Sequence, residues 1–192
     1  MEEARAFAGV GEEPPQEVPG AAPGRTNNES ELQNAAVPGN YIAGNVTHES
    51  LLAEGKVVAY VDGSYHSGTG EFSYGMVILQ DGEEHTFCQK MTDPDLALMH
   101  NVAGEIKGSE AAMQYAMDHN IPEIVIYHDY EGIAKWCTGA WKANKTGTKA
   151  YQEFYQKASQ KVKIHFVKVK GHSNDKYNDM ADQLAKKALG IL

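Results

Sequence analysis

From Lys56 onward, large apolar residues come in short runs separated by turn-forming residues. VVAYVDGS, residues 57–64, is a β-branched run that closes on a turn signal, so it predicts a strand. FSYGMVILQ and EEHTFCQKM flank Asp81-Gly82, and two strand-like runs about an Asp-Gly pair predict a hairpin. Between Asn101 and His119, Val102, Ile106, Met113, Ala116 and Met117 recur at helical spacing, and Pro122 marks the break. EIVIYHD then predicts a compact buried strand, EGIAKWC a short helix, KAYQEFYQKASQ an amphipathic helix and VKIHFVKV an alternating strand. Asn174 to Leu189 predicts a closing helix with Ala181, Leu184, Ala185 and Ala188 as its apolar stripe. The order β-β-β-α-β-α-α-β-α is that of an α/β protein whose mixed sheet has an antiparallel side.

The front of the chain has a different texture. Residues 11 to about 50 are rich in Pro, Gly, Glu, Asn and Ala and poor in large apolar side chains. Such a segment buries too little surface to offset its ordering entropy. Residues 1–55 are therefore expected to be a flexible, disordered acidic segment, and residues 56–192 a single folded domain. The net charge of −9 argues at first against a nucleic-acid partner, but its distribution changes that. Nine acids and two arginines lie in residues 1–55, leaving 17 acids against 15 bases in the rest. Lys135, Lys142, Lys145, Lys149, Lys157, Lys161, Lys163, Lys168 and Lys170 share one stretch with a single acid, Glu153, so a local basic face is expected. No apolar run approaches the roughly 20 residues of a spanning helix, and the acidic start, MEEARAFAGV, is unlike a signal peptide. Cys88 and Cys137 are in neither metal-ligand nor redox spacing, which fits two ordinary thiols in a reducing cytosol. A soluble, cytoplasmic protein without membrane contact is expected.

Four acids are candidates for chemistry. Asp62 is read at the end of the first strand and Asp129 at the end of the fourth, where open α/β sheets gather ligands. Glu105 is read in the first turn of the first long helix, and Asp182 in the last helix, one turn after Asn178. Singly, each has an ordinary reading: a turn-former, a dipole-facing residue, a helix cap, a solvated side chain. If strands one and four are neighbours, Asp62 and Asp129 meet. Carboxylates crowded together would hold one another's protons unless cations intervened. Hard divalent ions with oxygen ligands suit such a set, and thiolate or imidazole ligands would suit softer metals.

The run KVKGHSNDKYNDMADQLAKKA resembles the C-terminal signature of type 1 ribonuclease H, in which Gly-His precedes a loop and an Asn-acid-x-Ala-Asp helix. VDGS resembles the family's first-strand motif, NVAGE the helix bearing its second acid, and YHDYEGIAKW its Asp-bearing strand end. The resemblance spans residues 56–192 and keeps the four acids in family order. It implies a ribonuclease H-like fold: a five-stranded mixed sheet, three strands antiparallel and two parallel, flanked by helices. It also implies an endoribonuclease that cuts the RNA of RNA–DNA hybrids with low sequence preference, working as a monomer.

Carried over by residue, Asp62 would bridge two Mg²⁺ ions, with Mn²⁺ as a substitute. Asp182 would share the ion that activates water, while Glu105 and Asp129 would hold the ion at the leaving 3′ oxygen, giving 5′-phosphate and 3′-hydroxyl ends. The family pattern matches Asn178-Asp179-Met180-Ala181-Asp182, which selects Asp182 over Asp179 as the fourth ligand. His172 would shuttle a proton or assist release of product and metal. Gly63, Ser64 and Asn101 stand where the family contacts the hybrid, and Asn178 is expected to join them.

The chain departs from the family in places. YHSGTGEFSYG replaces a Gly-Asn-Pro-Gly turn, His100-Asn101-Val102 replaces Thr-Asn-Asn, and Asp129-Tyr130 replaces Asp-Ser. These changes put a phosphate-holding threonine and one groove-reading asparagine in doubt. Between Trp136 and Phe154 the chain is shorter than the basic protrusion of many relatives, so Trp141, Lys142, Lys145 and Lys149 are expected as a reduced hybrid-gripping element. The ordinary alternative is a core tryptophan beside solvated lysines. EEARAF at the start resembles the end of a Glu-Ala-rich helix that follows a hybrid-binding domain in some relatives, which would make this a truncated or alternatively started form. A DNA-cutting relative of the same fold and a non-catalytic hybrid binder are the rival readings.

Overall fold

A computed structural model describes residues 46–170 and 175–192. Its elements, in chain order, are α1 (His48–Ala53), β1 (Val57–His66), β2 (Glu71–Gln80), β3 (Glu83–Met91), the one-turn α2 (Pro94–Ala97) and α3 (Asn101–Asp118). After these come β4 (Glu123–His128), α4 (Gly132–Thr138), α5 (Thr146–Ala158), β5 (Lys163–Lys168) and α6 (Lys176–Ala188). The five strands form one sheet in the order β3-β2-β1-β4-β5. β1, β2 and β3 pair antiparallel, while β4 runs parallel to both β1 and β5. Three antiparallel strands plus two parallel ones is the expected ribonuclease H-like architecture. Among the described residues no helix is long and apolar enough to cross a membrane.

β1 is buried along its first eight positions because helices cover both faces of the sheet. Ala59 and Val61 point into a core shared with Ile106, Met113, Trp136 and Tyr151, from α3, α4 and α5. Val58 and Tyr60 point the other way, into a smaller core closed by Ala181 of α6 and Leu51 of α1. The Asp81-Gly82 hairpin is as expected: both residues have positive φ, 52° and 79°, as a type I′ turn requires.

Two glycines let helix backbones sit directly on the sheet. A Cβ on Gly63 would fall 2.1 Å from the Asn101 carbonyl, so α3 crosses β1 there without an intervening side chain. On the opposite face, a Cβ on Gly75 would fall 2.0 Å from the Ala181 carbonyl and 2.8 Å from the Ala185 nitrogen. Ser73 reinforces that seat by donating its hydroxyl to the Ala185 carbonyl at 2.5 Å. Both long helices are thus fixed near the strand positions that carry Asp62.

Besides the unpredicted one-turn α2, the structure differs from the sequence reading in three places. Residues 46–55, assigned to the tail, contain α1, which Thr47 caps by accepting from the Ser50 N–H. A six-residue helix does not persist alone, but burial of Leu51, worth about 2 kcal/mol, anchors it. β1 also runs past Asp62 to His66, because its pairing with β2 continues where its pairing with β4 stops at Tyr60 and Tyr127. Finally, α3 begins at Asn101, so Glu105 lies just beyond the first turn, where the helix dipole has less hold on it. Residues 1–45 of the expected tail and His172 lie outside the described residues.

Candidate active site

Asp62 alternates with Tyr60 and Ser64, which sets it on the sheet face toward α6, and its carboxylate accepts the Gly63 N–H at 2.8 Å. It stands two residues beyond Tyr60, as Asp129 stands two beyond Tyr127, and Tyr60 and Tyr127 are register partners. The two aspartates therefore arrive at one level from neighbouring parallel strands. Glu105 reaches the same point from α3, where its Oε1 accepts the N–H groups of Asp129 at 2.9 Å and Tyr130 at 3.1 Å. It is 3% exposed. Each of Asp62, Glu105 and Asp129 offers an oxygen, and those atoms lie within 4.8 Å of one another.

The electrostatics follow from that crowding. Burial, and then the Asp129 charge, push the Asp62 carboxyl up to about 8, against the pull of the Gly63 N–H. Burial also raises Glu105 well above the usual carboxylate range, with Asp129 and Asp62 adding to it and the Tyr130 N–H opposing. Buried acids held this close favour either protons or a multivalent cation in their midst. The donors are all hard oxygens, so the set fits Mg²⁺ or Mn²⁺ better than a softer metal.

The fourth expected acid is at the edge of this group. Asp182 lies half-buried on α6, and its charge also raises Asp62. Its Oδ2 accepts from Lys186, one turn on, at 2.7 Å. Lys186 was not among the sequence candidates, although its i,i+4 spacing from Asp182 is visible in the chain. Asn178, one turn before Asp182, is buried, and its side-chain oxygen meets no hydrogen-bond donor among the described residues. Asp175 caps the same helix by accepting the N–H groups of Tyr177 and Asn178.

The expected substrate contacts divide. Ser64 is buried on β1 and Gly63 is covered on one side by the α3 backbone, while Asn101 is exposed at the start of α3. Trp141 lies in an aromatic pocket. It is 9% exposed and packs edge-on against Trp136 at 5.9 Å and Tyr130 at 6.2 Å, with the Lys135 ammonium 5.1 Å from its ring centre. An indole gains more from that aromatic pocket than from solvent, so Trp141 supports the α4–α5 connection from within. Lys142 and Lys149 are the exposed members of that group, together with Lys157, Lys161, Lys163, Lys168 and Lys170 further along.

A family model described as RNase H matches residues 54–190. Ribonuclease H of Wolbachia pipientis is 30% identical over 153 residues, covering 72% of this chain and 98% of the relative. Ribonuclease H of Prosthecochloris aestuarii is 25% identical over 149 residues, covering 70% and 95%. Among solved structures, RNase H1 from Halobacterium salinarum aligns with a TM-score of 0.60 at 23% identity, covering 72% of this chain and all of that one. LC11-RNase H1, solved in complex with an RNA/DNA hybrid, aligns at 0.56 and 18% identity, covering 70% and 99%. The fold and the matched stretch together make the chain a member of the ribonuclease H family. It is an enzyme of the hydrolase class, a nuclease.

Proposed function

We propose that the chain is an endoribonuclease that hydrolyses the RNA strand of RNA–DNA hybrids with low sequence preference, leaving 5′-phosphate and 3′-hydroxyl ends. The observation that carries this reading is the convergence of Asp62, Glu105 and Asp129 from three separate elements onto one point. When bound there, a pair of divalent cations, Mg²⁺ or in substitution Mn²⁺, supplies Lewis acidity to an attacking water and a departing oxygen on opposite sides of a phosphate. In this reading Asp62, central on β1, would serve both ions. Glu105 and Asp129 would hold the one that assists the departing oxygen, and Asp182 would hold the one that assists the water. The two backbone N–H groups on Glu105 fix one carboxylate oxygen and leave the other to coordinate. The hydrolysis adds hydroxide to phosphorus and a proton to the 3′ oxygen as the P–O3′ bond breaks. His172 is assigned to proton traffic, because imidazole exchanges protons near neutral pH.

Choice of hybrid rests on the minor groove, where 2′-hydroxyls line one strand alone. Gly63, Ser64, Asn101 and Asn178 adjoin the acids in sequence or on one helix face and are assigned to that recognition, with Lys142 on the phosphates. The relative bound to an RNA/DNA hybrid shares the fold and supports the substrate class. The catalytic domain is assigned to residues 56–192, which hold every acid of the cluster, and is taken to act as a monomer. The unpaired thiols Cys88 and Cys137 are consistent with a cytoplasmic setting.

The test is an end-labelled hybrid incubated with Mg²⁺, Mn²⁺ or chelator, beside duplex DNA of the same sequence. Cleavage is expected in the RNA strand alone, abolished by chelator, and reduced by at least about 100-fold in Asp129→Asn. Undiminished hydrolysis by Asp129→Asn would overturn the metal assignment, and cutting of duplex DNA would favour a DNA-processing relative of the same fold.

A further inference from the structure

Helix α1 lies just before the stretch matched by the family model, which begins at residue 54. Its side chains nevertheless reach the helix that bears Asp182. The His48 ring stands edge-on to Tyr177, with centroids 5.2 Å apart and planes at 84°, and its Nδ1 is 3.0 Å from the Tyr60 hydroxyl. Tyr60 in turn stacks on Tyr127 at 4.5 Å and touches Tyr177 at 5.5 Å. Tyr177 is the second residue of α6, and its hydroxyl donates to Glu84 of β3 at 2.7 Å. The first turn of α6 is thereby gripped from two sides, by α1 through His48 and by the sheet edge through Glu84. Further along, α6 is seated by its backbone on Gly75, which leaves the placing of its N-terminal turn to the contacts of Tyr177.

We propose that His48 is a positioning residue for catalysis: α1 braces the first turn of α6 through Tyr177 and Tyr60, and so sets the place of Asp182 beside Asp62. The proposal rests on the reading of Asp182 as a site residue. The geometry favours it over mere packing for two reasons. Leu51, with Leu52 beside it, already meets the apolar demand of α1 by packing against the same small core. His48 by contrast places its Nδ1 and its ring edge on two tyrosines that join β1 to α6, while its Nε2 lies 3.0 Å from the Glu49 carboxylate of its own helix. A helix held only by greasy contact would not need a directional bond to Tyr60.

The experiment uses the full chain and compares His48→Ala and His48→Phe with Ile164→Val, a conservative thinning of the core on the far face of the sheet. In His48→Ala, amide exchange over residues 176–182 is expected to quicken by about ten-fold while the β1 and β4 amides keep their protection. At a temperature well below melting, kcat is expected to fall on the order of ten-fold with KM for the hybrid unchanged. His48→Phe, which restores a ring edge against Tyr177 without the bond to Tyr60, should recover part of both losses. It also carries the test if His48→Ala does not fold. Wild-type exchange across α6, or a kcat loss no larger than that of Ile164→Val at equal melting temperature, overturns the proposal. Exchange reads the brace directly, whereas Asp129→Asn reads the metal assignment, so failure of one is not confused with failure of the other.

Discussion

At the scale of single residues, the site is a balance of charges in which Lys186 has a larger part than its surface position suggests. Its ammonium holds the Asp182 carboxylate at 2.7 Å and also pulls the Asp62 carboxyl down against the stronger effect of burial. A cation held by Asp182 would compete with it for that carboxylate. Lys186→Met frees Asp182 and leaves the remaining acids less compensated, and both effects favour a divalent ion. Exposed ion pairs of this kind are worth little individually, so the expected change is modest. Mg²⁺ affinity by calorimetry should tighten about two- to five-fold, with half-maximal activity reached at correspondingly lower Mg²⁺. Unchanged or weaker binding would show that Lys186 does not compete for Asp182.

At the scale of elements, position is set by where backbones touch. Gly75 lies opposite Asp62 in the β1–β2 register and under the backbone of α6. Gly75→Ala would put a methyl against the Ala181 carbonyl, which cannot swing aside as a side chain can. Overpacking of this sort costs about 1–3 kcal/mol, and it lifts the helix carrying Asp182. Urea unfolding should show the loss in stability, and the surviving folded enzyme should be slower. Full stability in Gly75→Ala would mean that α6 is held by its flanks and not by this seat. The same scale explains what the chain made legible. Strand order, the Asp-Gly hairpin and the long helices follow from local periodicity and turn chemistry, so they could be read directly. The acids could be read because a family pattern spaces them. The packing of Trp141 could not, since an indole beside lysines looks alike in the chain whether it is exposed or set against Tyr130 and Trp136. Nor could α1: its six residues sit in tail-like composition and owe their order to the tertiary burial of Leu51. The pairing of Asp182 with Lys186 was present in the spacing but has no weight until the neighbours of Asp182 are known.

At the scale of the whole molecule, the cluster makes stability depend on pH and on metal together. Asp62 keeps its proton up to about 8 in the folded chain against 3.8 ordinarily, and Glu105 is also raised. A carboxyl that holds its proton more tightly when folded adds no penalty below its unfolded pKa. It then erodes stability as pH rises toward the folded value. His128 acts in the other direction: burial holds it down to about 4 from 6.5, so stability falls as pH drops through that window. The two effects oppose each other between about 4 and 6.5. Above 6.5 His128 is neutral in both states, and the carboxylates act without it. In chelator, the melting temperature should therefore fall between pH 6.5 and 8, by about 5 °C if the linkage amounts to about 1–2 kcal/mol. Saturating Mg²⁺ should flatten that slope, because a cation that binds the ionised cluster stabilises the folded state alone. Asp62→Asn separates the causes: it removes a buried charge, so in chelator at pH 8 it should melt higher than the parent while having lost its activity. A chelated parent whose melting temperature stays level from pH 6.5 to 8 would mean that Asp62 and Glu105 ionise without strain, and the case for a cation among them would lose its electrostatic ground.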